Sequence, residues 1–291
     1  MALASAGTRS VRVLFLFAIA VCVPQFDCCA ESADAPLTFA VMGDVPYAVG
    51  EYSLLKKQLA ELPDQAEFVV HVGDIKPGAP PCTEDIYIRV ASVLRESKPP
   101  VFIIPGDNEW NDCILPTPAT AWGYWTKHFL RFDSQWEHKL PVRRQLSRLE
   151  NFAMVQKGIL FVGVNLVGGR VHDKDEWEIR QGQDVKWLEE QFEAAGADVA
   201  SAVVLGHAFP GSKDRKRFET GFLDVAEKFG RPIAYIHGDG HKWIHDRPWK
   251  MHQNVERIQV DQGGIAPPLL VTPPQSSGGK FVFDRRKPDA K

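Results

Sequence analysis

The feature that most constrains this chain is a repeated punctuation, in which short apolar runs are halted by a glycine and then by a carboxylate or an imidazole. The runs cover residues 37–42, 67–72, 101–104, 159–164, 201–205 and 232–236 and are rich in Val, Ile and Phe. Short β-branched runs that end in turn signals are the pattern of buried strands. Between them, residues 52–62, 83–96, 184–195 and 218–229 carry apolar side chains at helical spacing, as in Val185, Leu188 and Phe192. Strands alternating with helices predict a layered α/β fold, and the strand-rich tail after Val255 is expected to complete a second sheet. With 44% hydrophobic and 24% charged residues, disorder and fibrous repeats are excluded. No internal repeat or linker divides the chain, so a single domain over residues 31–291 is expected.

Five of these runs end in chemistry. The endings are Gly43-Asp44-Val45-Pro46-Tyr47, Gly73-Asp74-Ile75, Gly106-Asp107-Asn108-Glu109-Trp110, Gly206-His207-Ala208 and His237-Gly238-Asp239-Gly240-His241. One Gly-Asp is an ordinary turn. Five at strand ends imply one crevice, because loops at the carboxyl ends of strands converge there. Four aspartates and two histidines on one edge repel one another and are costly to bury unless cations neutralise them. The donors are numerous enough for two metal ions that share a carboxylate.

In motif order the chain resembles the calcineurin-like metallophosphoesterases, whose motifs run D-x-H, G-D, G-N-H-[DE], G-H and G-H-x-H, each after a strand. Asp44, Asp74, His207 and His241 fall on metal-ligand positions of that family, and the resemblance implies that Asp74 bridges two ions within a four-layer αββα sandwich. It also implies that Glu109 orients its neighbours and that the substrate is a small phosphomonoester or phosphodiester. The chain departs from the family pattern at three places. Pro46 stands where the family has a histidine ligand, Asp107 and Asn108 stand for asparagine and histidine, and Asp239 stands for the first histidine of the last motif. Either Asp107 or Asn108, and either Asp239 or His237, remain open as ligands. The exchange of imidazole for carboxylate favours manganese or magnesium over zinc. Asn108 is able to hydrogen-bond a phosphoryl group but has no proton to give, so an alternative reading is a metal- or phosphate-binding protein of the same fold with impaired turnover.

Other residues have plainer readings. His71 and His237 lie within strands and are expected to be hydrogen-bonded core histidines. Trp110, Trp122, Tyr124 and Trp125 form an aromatic cluster expected mainly to pack core or lid. Tyr47, three residues after Asp44, is placed to donate a hydrogen bond or to coordinate. Lys213, Arg215 and Lys242 are candidate sources of positive charge, with a solvated surface as their ordinary role.

A formal charge of −3 provides no basic field for a nucleic-acid backbone. Arg9 and Arg12 precede an apolar run over residues 13–23, followed by Pro24 and Cys28-Cys29-Ala30, which is the layout of a secretory signal. That run is shorter than the ~20 residues a bilayer-spanning helix needs. Export into an oxidising compartment is therefore expected, with residues 1–30 removed. Of five cysteines, Cys22, Cys28 and Cys29 leave with the leader, and Cys82 and Cys113 remain to pair. Expressed with its leader, the exported protein should begin at or near Glu31. N-terminal sequencing checks this, and an intact leader on exported material would contradict it.

Overall fold

The structure is a computed structural model that describes Met1, Ala2 and residues 35–287, so the leader beyond Ala2 lies outside the described residues. Two sheets face each other. The first is ordered β12-β11-β1-β2-β3, with β1 Thr38–Met42, β2 Ala66–His71, β3 Val101–Ile103, β11 Leu269–Thr272 and β12 Val282–Asp284. In the second the order is β4-β5-β6-β7-β8-β10-β9. Its strands are β4 Arg143–Gln145, β5 Arg148–Gln156, β6 Ile159–Gly163, β7 Ser201–Leu205, β8 Ile233–His237, β9 Ile244–Asp246 and β10 Val255–Gln259.

Strand alternation explains the layers. Phe39 and Val41 of β1, Phe68 and Val70 of β2, Val203 and Leu205 of β7, and Ala234 and Ile236 of β8 point into one core between the sheets. Their neighbours Ala40, Met42 and Val69 face α1 Glu51–Ala60, α2 Glu84–Leu94 and α3 Pro118–Phe129. Ala202, Val204, Ile233 and Tyr235 face α4 Lys174–Ala195 and α5 Lys216–Phe229. Both faces of each sheet are thus apolar, which is why the strands read as continuous hydrophobic runs rather than alternating ones. The expected αββα sandwich is what forms. Aromatic rings fill its centre: Phe39 stacks on Phe68 at 5.1 Å, and Phe161 meets both edge-on at 5.2 Å.

Four elements escape the sequence pattern. Helix α3 has Thr117 as N-cap and proline in its first turn, and its aromatic content with Gly123 masks the helical period. Helix α4 begins ten residues before the predicted start, capped by Asp173, whose side chain accepts from the Asp175 and Glu176 amides. Strands β4 and β5 carry Arg, Glu and Gln and look like loop. The tail also divides: β10 enters the second sheet between β8 and β9, whereas β11 crosses to pair antiparallel with β1 of the first. Its strands therefore close both sheets instead of completing one.

Parallel register gathers the strand ends. Met42 pairs with His71 and His71 with Ile103, so the loops holding Asp44, Asp74 and Asp107 leave the first sheet together. Leu205 pairs with Ile236 in the second sheet, where β7 and β8 lead to His207 and Asp239. Cys82 and Cys113, both buried, form a disulfide with Cα atoms 6.0 Å apart, tying the loops after β2 and β3. Non-reducing mass spectrometry should find no alkylatable thiol at either position. Replacing both by serine should cost about 2–4 kcal/mol of stability by denaturant unfolding.

Candidate metal centre

The backbone holds the charged residues in unusual conformations. Asp44, Asp74, Asp239 and His241 all have left-handed φ, at 55°, 61°, 65° and 60°. Such a conformation costs roughly 1–3 kcal/mol per non-glycine residue and persists where surrounding structure enforces it. Here the Asp44 amide donates to the Gly73 carbonyl at 3.0 Å, and the Val45 amide to the Asp74 carbonyl at 3.0 Å. Gly106 leaves room for this crossing, since a Cβ there would collide with the Asp74 amide and carboxylate.

The side chains converge in two sets. Asp44, Asp74 and His241 form one, and Asp74, Asp107 and His207 the other, each with donor atoms within 4.8 Å of one another. Asp74 belongs to both. In His207, Nδ1 lies 2.7 Å from the Val72 carbonyl, which only accepts, so Nδ1 carries the proton. Its Nε2 then turns a lone pair toward Asp107 Oδ1 at 2.9 Å and Asp74 Oδ1 at 3.3 Å. Three acceptors in such proximity repel unless a cation or proton lies between them. Asp44 Oδ2, Asp107 Oδ1 and His207 Nε2 are buried without a hydrogen-bond partner, and such atoms suit cation coordination. The donor set therefore fits the divalent ions that the motifs imply.

Around these sets stand the other sequence candidates. Glu109 is fully buried, and its Oε1 accepts from the amides of Gly106 and Asp74, which orients the Asp74 loop. Asn108 donates its amide to Asp74 Oδ1 at 3.0 Å and its side-chain NH₂ to Asp74 Oδ2 and to the Tyr47 hydroxyl. That hydroxyl donates to Asp74 Oδ2 at 2.7 Å and lies 3.2 Å from Asp44 Oδ1 and 3.3 Å from His241 Nε2. The Asp239 amide donates to Asp44 Oδ1 at 3.2 Å. Its carboxylate is outside both donor sets, but close enough to Asp107 that a Cβ on Gly168 would press against both.

His237 is buried with Nδ1 on the Gly238 carbonyl and its ring stacked on Phe209. His71 is also buried, bonded to the Val45 carbonyl and the Gly73 amide. Both are core histidines, and burial lowers them to about 3 and about 4 respectively. Trp110 and Trp125 are buried, with Trp122 stacked on Trp125 at 5.2 Å. Lys213 and Lys242 are exposed, while Arg215 donates to the Phe209 and Val167 carbonyls. The buried cation of the site is instead Lys76, 2% exposed, whose Nζ donates to the carbonyls of Pro77 at 2.6 Å and Asn108 at 3.0 Å. Its one sequence signal is a lysine two residues past a motif aspartate, in a segment otherwise apolar.

The family model of the calcineurin-like phosphoesterases matches residues 37–243. Among solved structures, GAP50, described as the anchor in the inner membrane complex of Plasmodium, is similar at 14% identity and a TM-score of 0.51. That match covers 86% of this chain and 78% of that one. The 5'-nucleotidase of Candida albicans is similar at 12% identity and a TM-score of 0.51, over 84% of this chain and 51% of that one. At such identities the likeness is one of fold. A comparison with curated proteins gave no match.

Several proton affinities in the site rise, which eases the crowding of acceptors. Burial pushes the carboxyl of Asp74 well above its usual range, with Asp107, Glu109 and Asp44 adding to the effect. Burial likewise raises Glu109 and Asp239. For His207 burial acts downward, but Asp74 and Asp107 hold the imidazole well above its ordinary value. Raised carboxyls mean that the folded chain retains protons the unfolded chain releases, so without cations stability falls as pH rises above the unfolded carboxylate range. The histidine has the same sign: its contribution is complete below its unfolded value and is lost as pH climbs through the higher folded one. Calorimetry on chelator-treated protein should therefore show a larger Tm gain from manganese at about pH 8 than at about pH 5. An equal gain at both would show that these groups do not face the bound ion.

Proposed function

The chain belongs to the calcineurin-like phosphoesterases, and on that premise we propose that it is an exported hydrolase of phosphomonoesters or phosphodiesters that works with two divalent cations. The observation that carries this reading is the pair of donor sets sharing Asp74, with buried atoms of Asp44, Asp107 and His207 left unpaired. Asp44, Asp74 and His241 would hold one ion, and Asp74, Asp107 and His207 the other. Such ions, manganese or magnesium given the carboxylate-rich donors, supply positive charge to phosphoryl oxygens and acidity to water. The chain's own groups do the rest. Glu109 fixes the Asp74 loop through two amides. Val72 fixes the tautomer of His207. The NH₂ of Asn108, bonded to Asp74 and the Tyr47 hydroxyl, would exchange one of these partners for a phosphoryl oxygen and stabilise its growing charge. Asp239 adds a carboxylate beside Asp107 and is read as a partner to the second set.

Pro46 and Asn108 favour a second reading, a metal- or phosphate-binding protein with impaired turnover, because each replaces an imidazole of the family pattern. Leaving-group dependence separates the two. General acid help is worth roughly 10²–10⁴-fold, and Asn108 has none to give. The manganese-loaded protein should hydrolyse activated aryl phosphoesters far faster than alkyl ones, and Asn108→His should narrow that gap. Asp74→Ala should lower kcat/KM by on the order of 10²-fold or more. No hydrolysis of any activated ester by loaded wild-type protein would favour the binding reading, and an unaffected Asp74→Ala would overturn the site.

A further inference from the structure

A cleft of about 130 Å³ opens beside the donor sets. Among its walls are Tyr47, Tyr52, Lys76, Pro77, Ile86 and Arg89. Two of these residues also touch the candidate centre. Tyr47 presents its hydroxyl to Asp74 at 2.7 Å, and Lys76 donates to the Asn108 carbonyl at 3.0 Å. The distance from donor set to cleft is thus a single side chain.

Its size and lining limit what fits. An apolar cavity of about 150 Å³ accommodates benzene, so this cleft suits one aromatic ring or a compact apolar group. Tyrosine rings, prolines and an isoleucine line most of it. The cations on its wall are committed, Arg89 to Asp85 at 3.0 Å and to the face of Tyr52 at 5.2 Å, and Lys76 to two backbone carbonyls. Little on the wall would therefore favour a second phosphate.

The wall is also held in place. Gly78 passes so near Asn108 that a Cβ would lie 2.9 Å from its Oδ1, and the Cys82–Cys113 disulfide ties this loop to the one bearing Asn108. A wall fixed before binding reduces the ordering cost of seating a ring.

We propose that this cleft is the subsite for the ester group, taking a single-ring aromatic or compact apolar substituent while the phosphoryl group faces the donor sets beside Asn108 and Tyr47. The proposal rests on the phosphoesterase reading above. Phenylphosphonate and methylphosphonate test it, because neither has an ester bond and leaving-group chemistry cannot enter. Titration calorimetry on the manganese-loaded protein should find the phenyl compound bound about tenfold more tightly. In Ile86→Trp, which fills the cleft, and Tyr52→Ala, which removes a wall, the preference should fall below about threefold. Circular dichroism identifies which variants have folded. Equal affinities in wild type, or a preference kept in the folded variants, would overturn the subsite. Hydrolysis of p-nitrophenyl phosphate by the same preparation distinguishes the two failures. Hydrolysis with equal affinities removes the subsite alone, whereas neither hydrolysis nor phosphonate binding removes the phosphoesterase reading and the subsite with it.

Discussion

Like charge brought to one edge is the constraint on which this structure depends. Parallel pairing of β1 with β2 and of β2 with β3 delivers Asp44, Asp74 and Asp107 to the same rim, and β7 delivers His207 opposite them. Three nearly buried carboxylates would not stay ionised together without countercharge. Within the chain the repulsion is eased by the raised proton affinities of Asp74 and His207. Metal ions would supply the countercharge, and the atoms of Asp44, Asp107 and His207 that lack hydrogen-bond partners suit them.

Rigidity around the rim follows from the same need. The left-handed conformations at Asp44, Asp74, Asp239 and His241 aim side chains that an ordinary strand exit would direct elsewhere. Their strain is offset by the packed sheets behind them, where Phe39, Phe68, Phe102 and Phe161 interlock between the layers. Lateral support comes from Glu109, whose carboxylate joins Gly106 to Asp74, and from the disulfide that joins the two loops. The same tether shapes the neighbouring cleft, so the centre and its surroundings form one preorganised unit.

The replacement of histidine by proline at position 46 acquires a structural context. Proline offers no ligand, but the next residue places its hydroxyl among Asp44, Asp74 and His241, within 2.7–3.3 Å of each. Tyr47 therefore brings to the first donor set a polar group that Pro46 lacks. Asn108 keeps its side-chain NH₂ on Asp74 and Tyr47, and an amide has no acidic proton to give to a leaving group.

Much of this was legible without coordinates. Apolar runs closed by Gly-Asp or Gly-His specify strand exits, because period and turn chemistry are local properties of the chain. They specify a layered α/β fold and six of the residues in or beside the donor sets, and the αββα arrangement followed from the resemblance those motifs carry. His71 and His237 were readable as core for the same reason, lying inside strands whose faces are buried. The structure alone decided the rest, since it depends on contacts remote in sequence. Helix α3 is disguised by its aromatic residues, and β4 and β5 by their charge, until neighbours bury them. Whether Asp239 or Asp107 stands nearest His207 depends on how the two sheets meet. Lys76 could be recognised only once the Asn108 carbonyl, 32 residues away, was seen to accept its hydrogen bond. Sequence determined which groups reach the rim, and packing between sheets determined which of them face one another.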